Sequence, residues 1–468
     1  MSIVSSEIDF QPKEWKGGHY NLHRIIQQNG QTDAIALSNN SVVQSRFEIQ
    51  DDAVNLARSH LSFQVQVTHT DTRQAVLFRY GFPMIDSIRL TDRGGQDLVF
   101  LPRVGQYSRM VLQAYTKKSE FLGLPVGDVK GAPTSYSQLF NPSNALNNAT
   151  LGGTTGANGG RVGNFIPHGA TVATNTNASS APSQQLNGTE YIFAGAKGED
   201  LKYNVVIPLS MFKGTMLSMD KSIRFGQVMT LEVNFAPKTR LGFQCSTVGS
   251  IDGDVADIAG AGQINNLYFY VAREQDLAVQ ADLQSALNQG HTMTVPSVYQ
   301  EQKVFSDTGT SRNFQINVNR QLGSRLLRVM WQATHGLNTS KLQFNASNHG
   351  GAKVSSYWTT WDGVRLQEYD LKVSDNSDYL WHKDTFEKSV YDGDIDEYRI
   401  NPVHCDNWSK SKKSVDWAQS DFQNDGMPLL RDSMYGVSAT TGAVQLIFEV
   451  LVISQKQLTV SNQGITLV

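Results

Sequence analysis

The feature that most constrains this chain is a period of two in its apolar residues, repeated at widely separated places. Leu61, Phe63, Val65 and Val67 alternate with Ser62, Gln64, Gln66 and Thr68. Met229, Leu231, Val233 and Phe235 alternate with Thr230, Glu232 and Asn234, and Phe314, Ile316 and Val318 with Gln315, Asn317 and Asn319. Successive side chains of a strand point to opposite faces, so each run has one apolar and one polar face. Such faces are buried when two sheets close on each other. Residues 444–453 differ: they are apolar except for Gln445 and Glu449, as expected of a strand covered on both faces. Runs at 42–49, 203–207 and 267–271 also suit strands.

Helical spacing is confined to two places. In residues 104–118, Tyr107, Val111, Leu112 and Tyr115 fall on one stripe, and in 273–288 Leu277, Ala281 and Leu287 face roughly one way, with Gly290 placed to end the helix. Many strands and few helices predict sandwiches or barrels. A chain of 468 residues is long enough for two or three domains. The turn residues Ser306-Asp307-Thr308-Gly309-Thr310-Ser311 suggest a boundary. The expected division is an N-terminal arm (1–39), a first domain (40–305), a second (306–455) and a C-terminal tail (456–468). Residues 134–187 are dominated by Asn, Gly, Thr, Ser and Ala, too poor in large apolar groups to build a core. They read as a long polar surface excursion of the first domain.

Charge and cysteine content exclude several functions. With 40 basic and 43 acidic residues and no long block of either sign, the chain lacks the basic face of a protein that coats nucleic acid. Lys410, Lys412 and Lys413 form the nearest approach to one and read as a solvated loop. Cys245 and Cys405 are too few for a disulfide framework or a cysteine zinc site, and read as free thiols. No run of 18 apolar residues is present, and residues 1–10, with Glu7 and Asp9, have no signal-peptide character. Synthesis in a cytoplasm is expected.

Catalytic and metal motifs are weak. Asp392, Asp394 and Asp396 have the 1-3-5 spacing of a calcium loop, but Glu397 stands where glycine allows the turn and Val403 where a bidentate carboxylate is needed. The segment with Asp252, Asp254 and Asp257 is weaker still. The glycine-rich stretch 152–160 has no GK[ST] ending, and neither HExxH nor GxSxG occurs. His291, His382 and His404 have no partner at ligand spacing. The sequence therefore predicts no catalytic residue, metal site or cofactor, and no enzyme.

Four stretches carry a family resemblance. They are Ile85-Asp86-Ser87-Ile88-Arg89-Leu90 followed by Gly94-Gly95-Gln96 and Tyr107; Ile207-Pro208-Leu209-Ser210-Met211-Phe212; Asn266-Leu267-Tyr268-Phe269-Tyr270 leading to 295–304; and Arg320-Gln321-Leu322 leading into Leu326-Leu327-Arg328-Val329-Met330-Trp331. In this order they resemble the double jelly-roll major capsid proteins of virophages, polinton-like viruses and large eukaryotic DNA viruses, the adenovirus hexon lineage. The resemblance implies an all-β chain of two consecutive eight-stranded jelly rolls with a few short helices, the 134–187 loop being tower-like. It implies a major capsid protein that forms pseudo-hexagonal homotrimers and tiles an icosahedral virion. Neighbouring capsomers, penton and minor capsid proteins would be partners, with an inner membrane or genome beneath and no specific nucleic-acid binding. The competing readings are a β-sandwich that binds or cleaves glycans, for which Tyr357, Trp358, Trp361, Trp381 and Asp362 are the best set, and a virion spike or fibre.

Overall fold

The computed structural model describes residues 19–69, 75–78, 84–115, 191–193, 200–238, 242–244, 260–305, 311–319, 323–335, 353–385, 389, 391–392, 398, 402–408, 427–440 and 446–468. Its first part runs β1 (Tyr20–Ile25), β2 (Ile35–Leu37), β3 (Val43–Ile49), β4 (Val54–His69), β5 (Ala75–Phe78), β6 (Ile85–Thr91) and β7 (Asp97–Leu101). Helix α1 (Val104–Tyr115) follows, then β8 (Tyr191–Phe193), β9 (Asp200–Pro208), β10 (Ser222–Ile223), β11 (Met229–Phe235), β12 (Gly242–Gln244) and β13 (Gly260–Glu274). Helix α2 (Leu277–Gln289) leads to β14 (His291–Phe305), β15 (Ser311–Asn317), β16 (Arg325–His335), β17 (Lys353–Trp361), β18 (Val364–Arg365) and β19 (Leu371–Lys372). The chain continues through α3 (Ser377–His382), β20 (His404–Asn407), β21 (Met427–Pro428), β22 (Met434–Thr440), β23 (Leu446–Ser461) and β24 (Gly464–Leu467).

Alternation in the sequence becomes alternation in burial. Every second residue of β11 is buried, as are Leu61, Phe63, Val65 and Val67 on β4, while the residues between them are part-exposed. Across the first sandwich Phe63 meets Phe235 edge-on at 5.3 Å. In the second, Phe314 packs on Phe305 at 4.5 Å and on Phe448 at 5.7 Å. The Trp358 ring lies over its cross-strand partner Gly436, where a Cβ would come within 2.1 Å of the indole. Glycine is required there by space alone.

The two halves share one strand order. The principal strands of the first are β1, β3, β4, β6, β7, β9, β11 and β13, and of the second β14, β15, β16, β17, β18, β20, β22 and β23. Numbered one to eight within each half, one sheet reads 1-8-3-6 and the other 2-7-4-5, in both halves and with antiparallel neighbours throughout. A further three-stranded sheet, β12-β5-β8, joins three separate connections of the first sandwich.

Pairing moves the boundaries away from those expected at 39, 305 and 455. β1 and β2 pair with β13, so the chain from Tyr20 onward is part of the first sandwich and not an arm. β14 pairs with β23 along its whole length, from His291↔Val460 to Phe305↔Leu446, which places it in the second sandwich. The crossing between halves is α2, begun by Asp276 accepting from Ala278 N and ended at Gly290, φ +77°. The turn residues 306–311 instead separate two strands of one sandwich, because a jelly roll needs turn chemistry within each unit as much as between units. Residues 456–468 are no tail, since β23 runs to Ser461 and β24 pairs back on it. The expected excursion at 134–187 lies outside the described residues.

Each sandwich depends on its buried rings. Phe63→Ala or Phe314→Ala should each cost about 3–5 kcal/mol. Gln64→Ala and Gln315→Ala, on the outward faces, should stay within about 0.5 kcal/mol of wild type. Chemical denaturation of the four variants measures the contrast.

Candidate functional site, the seam between the two sandwiches

β23 explains its own apolar run. Phe448, Val450 and Val452 point into the core of the second sandwich, whereas Leu451 and Ile453 join the cluster that contains the core of the first. β16 behaves alike: Leu326, Val329 and Trp331 face the second core, and Leu327 and Met330 face outward into the other cluster. A register shift between Leu326 and Arg328 accounts for Leu326 and Val329, three residues apart, facing the same core. The outer face of β14-β23-β16-β20 thus carries apolar side chains, and the first sandwich covers it with β7, α1 and the short 3-10 helix Met216–Ser218. Gly214, φ +79°, lets this turn approach so closely that a Cβ would lie 2.8 Å from Ile453 Cδ1. Consequently only the second core is closed on itself, and the core of the first sandwich runs on into the seam.

Polar groups fix how the two halves register. Gln300 on β14 exchanges hydrogen bonds with the backbone of Arg103, accepting from its N–H at 3.3 Å and donating to its carbonyl at 3.1 Å. The Arg103 guanidinium donates twice to Glu449 Oε2, at 3.1 and 3.0 Å, and Gln302 donates to Oε1 at 2.6 Å. Burial pushes the Glu449 carboxyl up to about 7, with Arg103 and Gln302 pulling part of the way back. Deeper in, the Tyr107 hydroxyl donates to the Lys213 carbonyl, and the Tyr115 hydroxyl meets Cys405 Sγ at 3.4 Å. Burial raises the Cys405 thiol to about 12, so it is held as an inert thiol. Cys245 lies outside the described residues.

A second polar cluster, which spacing in the sequence does not disclose, sits beneath α3. His382 and His404, read singly in the sequence, have ring centroids 6.0 Å apart. The Tyr398 hydroxyl donates to Asp378 Oδ2 at 3.1 Å and lies 3.1 Å from His404 Nδ1. His382 Nε2 bonds the Tyr357 hydroxyl, its Nδ1 lies 3.5 Å from Asp406, and Trp381 donates to Asp406 at 3.0 Å. Burial lowers both histidines and lifts Asp378 to about 6. The groups bond one another beneath the helix and fasten α3 to β17 and β20.

The remaining sequence candidates separate. Of the aromatic set, Tyr357 and Trp361 are buried, Trp361 stacks on Trp408 at 3.8 Å, and Arg365 lies over Trp358. Asp362 accepts from the backbone N–H groups of Leu430 and Arg431, a turn-forming role. The set therefore makes no continuous exposed platform. His291 is exposed at the start of β14, Asp392 is exposed, and Val403 is buried. Asp394, Asp396, Glu397, the 252–257 segment and the lysines at 410, 412 and 413 fall outside the described residues. Among the described residues no three His, Cys, Asp or Glu side chains are grouped to hold a metal ion, and no helix is long and apolar enough to cross a membrane.

No family model and no curated protein matches the sequence. Solved structures do match over nearly the whole chain. The Faustovirus major capsid protein is 8% identical, with 98% of this chain and 93% of that one covered and a TM-score of 0.54. The Sputnik virophage structure is 12% identical, covering 100% and 92%, with a TM-score of 0.54. The mavirus major capsid protein is 10% identical, covering 99% and 93%, with a TM-score of 0.50. The chain is a double jelly roll. Each jelly roll has its own pair of sheets, and the double jelly roll as a unit is made by the seam.

The seam gives this double jelly roll a pH signature. A buried acid whose folded value, about 7, lies above its ordinary 4.5 contributes stability below pH 4.5 and loses it as pH rises through 7. Glu449→Gln keeps the protonated shape. It should match wild type at about pH 4 and exceed it by on the order of 3 kcal/mol at about pH 8, read by urea unfolding at both pH values. A wild type that gains on the variant as pH rises would show that Arg103 outweighs burial.

Proposed function

We propose that this chain is a major capsid protein, a structural and not a catalytic component of an icosahedral virion. The observation that carries the reading is that two jelly rolls of identical strand order are locked side by side by a buried seam. A chain that only needed a glycan site or a spike would gain nothing from that duplication. A shell tile needs two similar rigid blocks at a fixed angle.

In this reading three chains present six jelly rolls and a pseudo-hexagonal outline, which neighbouring capsomers, penton and minor capsid proteins surround. The β12-β5-β8 sheet, built from three connections of the first jelly roll, would support an outward tower. The opposite ends would face an inner membrane or the genome. A net charge of -3 suits a shell that does not itself bind nucleic acid. The chain would be made in a host cytoplasm and end in the virion.

Oligomeric state tests the reading. Obligate interfaces of this kind bury upward of about 2,000 Å², so native mass spectrometry of the purified protein should give three times the 51.7 kDa chain. Negative-stain images should show particles of hexagonal outline. A monomer that persists at tens of micromolar would overturn the proposal.

A further inference from the structure

Helix α3 is too short to hold itself. It has six residues, of which Asp378, Tyr379 and His382 are turned inward while Leu380 and Trp381 stay exposed. A helix of that length has no stability of its own in water. Side chains beneath it fasten it. Asp378 accepts from the Tyr398 hydroxyl at 3.1 Å, Tyr379 donates to the Tyr391 carbonyl at 3.0 Å, Trp381 donates to Asp406 at 3.0 Å, and His382 bonds Tyr357. The helix start is tied separately, by Ser377 Oγ accepting from Lys372 N of β19 at 2.7 Å. The strands underneath are held by ladders instead, β17 by β22 and β20 by β16. Loss of the cluster would therefore swing the helix about Ser377 and leave the sheets paired.

Both histidines of the cluster sit where a charge is poorly received. His404 is 1% exposed, stacks on Trp331 at 3.9 Å and meets the Tyr357 ring edge-on at 4.7 Å. The Tyr398 hydroxyl spends its proton on Asp378, so it accepts from His404 Nδ1. Facing His382 are Tyr357 of β17, His404 and Asp406 of β20 and, one turn back on α3, Asp378. Asp406 Oδ1 lies 3.5 Å from His382 Nδ1, but Trp381 and Tyr435 of β22 share that carboxylate. Cys405 and Arg328 of β16 face the seam with Tyr115, and Lys372, Asp375 and Lys383 are exposed at the two ends of α3.

We propose that α3 is an acid-released latch: protons taken up by His382 and His404 free the helix from β17 and β20 while both jelly rolls stay folded. The sign follows from which state holds each proton. Burial lowers both histidines from 6.5, with Asp406 opposing in part at His382 and His382 adding to the effect at His404. In acid the released state therefore binds two protons that the docked state refuses, and release is favoured. Asp378, lifted by burial from 3.8 to about 6, works the other way, because the docked state takes its proton first. Two against one leaves a net uptake of about one proton on release between about pH 6 and about pH 4. The released population then rises up to about tenfold for each unit of pH. In the capsid reading this gives the shell a response to an acidified compartment; the latch itself does not rest on that reading.

Hydrogen–deuterium exchange of the full chain, taken as protection factors corrected for the intrinsic rate at each pH, follows helix and sheets separately. From about pH 6 to about pH 4 the α3 amides should lose up to about tenfold protection per unit, while those of β23 keep theirs. His382→Gln, whose amide still reaches Tyr357, leaves one histidine against one carboxyl, so its α3 protection should be nearly flat with pH. Asp378→Asn still accepts from Tyr398 and removes the opposing group, which should steepen the loss to as much as about a hundredfold per unit. If one variant fails to fold, the other makes the comparison with wild type. Wild-type α3 protection that stays level or rises towards acid overturns the latch. So does a loss in step with β23, or a variant whose profile equals that of wild type.

Discussion

A strand in a two-layer sandwich buries one face, and β23 buries two. Phe448, Val450 and Val452 close the second jelly roll, while Leu451 and Ile453 are covered by a helix and a turn of the first. Neither set can be exposed without opening apolar surface of order tens of Å² per side chain, at roughly 25 cal/mol for each Å². The second jelly roll therefore gains stability from the first lying against it, and the angle between them is set by a close-packed contact. Gly214 shows how close that contact is, for the backbone touches Ile453 where any side chain would stand.

Apolar contact fixes proximity and leaves sliding open; the polar groups remove the sliding. Gln300 grips the backbone of Arg103, and Glu449, itself held by Gln302, grips its side chain, so the start of α1 is tied to two strands of the other jelly roll. Leaving any of these unpaired in the seam would cost about 1–3 kcal/mol, so a displaced register is penalised.

Buried histidines and buried carboxyls respond to pH in opposite senses. His382 and His404, lowered by burial, contribute stability above their ordinary 6.5 and lose it as pH falls through that value. Asp378 and Glu449, raised by burial, contribute most in acid and lose it as pH rises through about 6 and about 7. Within the α3 cluster, acid therefore acts with one sign on the histidines and with the other on Asp378.

The sequence by itself determined the two-layer β architecture, because a period of two leaves an apolar face that only another sheet can bury. It also marked β23 as covered on both sides, and it placed helices close to α1 and α2. Single motifs in order were enough to indicate the double jelly roll. The division of the chain was not legible: the turn residues 306–311 look the same between two strands of one sandwich as between two sandwiches, and only pairing with β23 assigns β14. Nor were the partners of Arg103 legible, since Gln300 and Glu449 lie far along the chain, or the meeting of His382 with His404, Tyr398 and Asp378. Alternation records which face of a strand is buried. Which distant strand buries it, and which polar side chains then face each other, follows from long-range pairing that carries no local signature, and only the tertiary structure decides it.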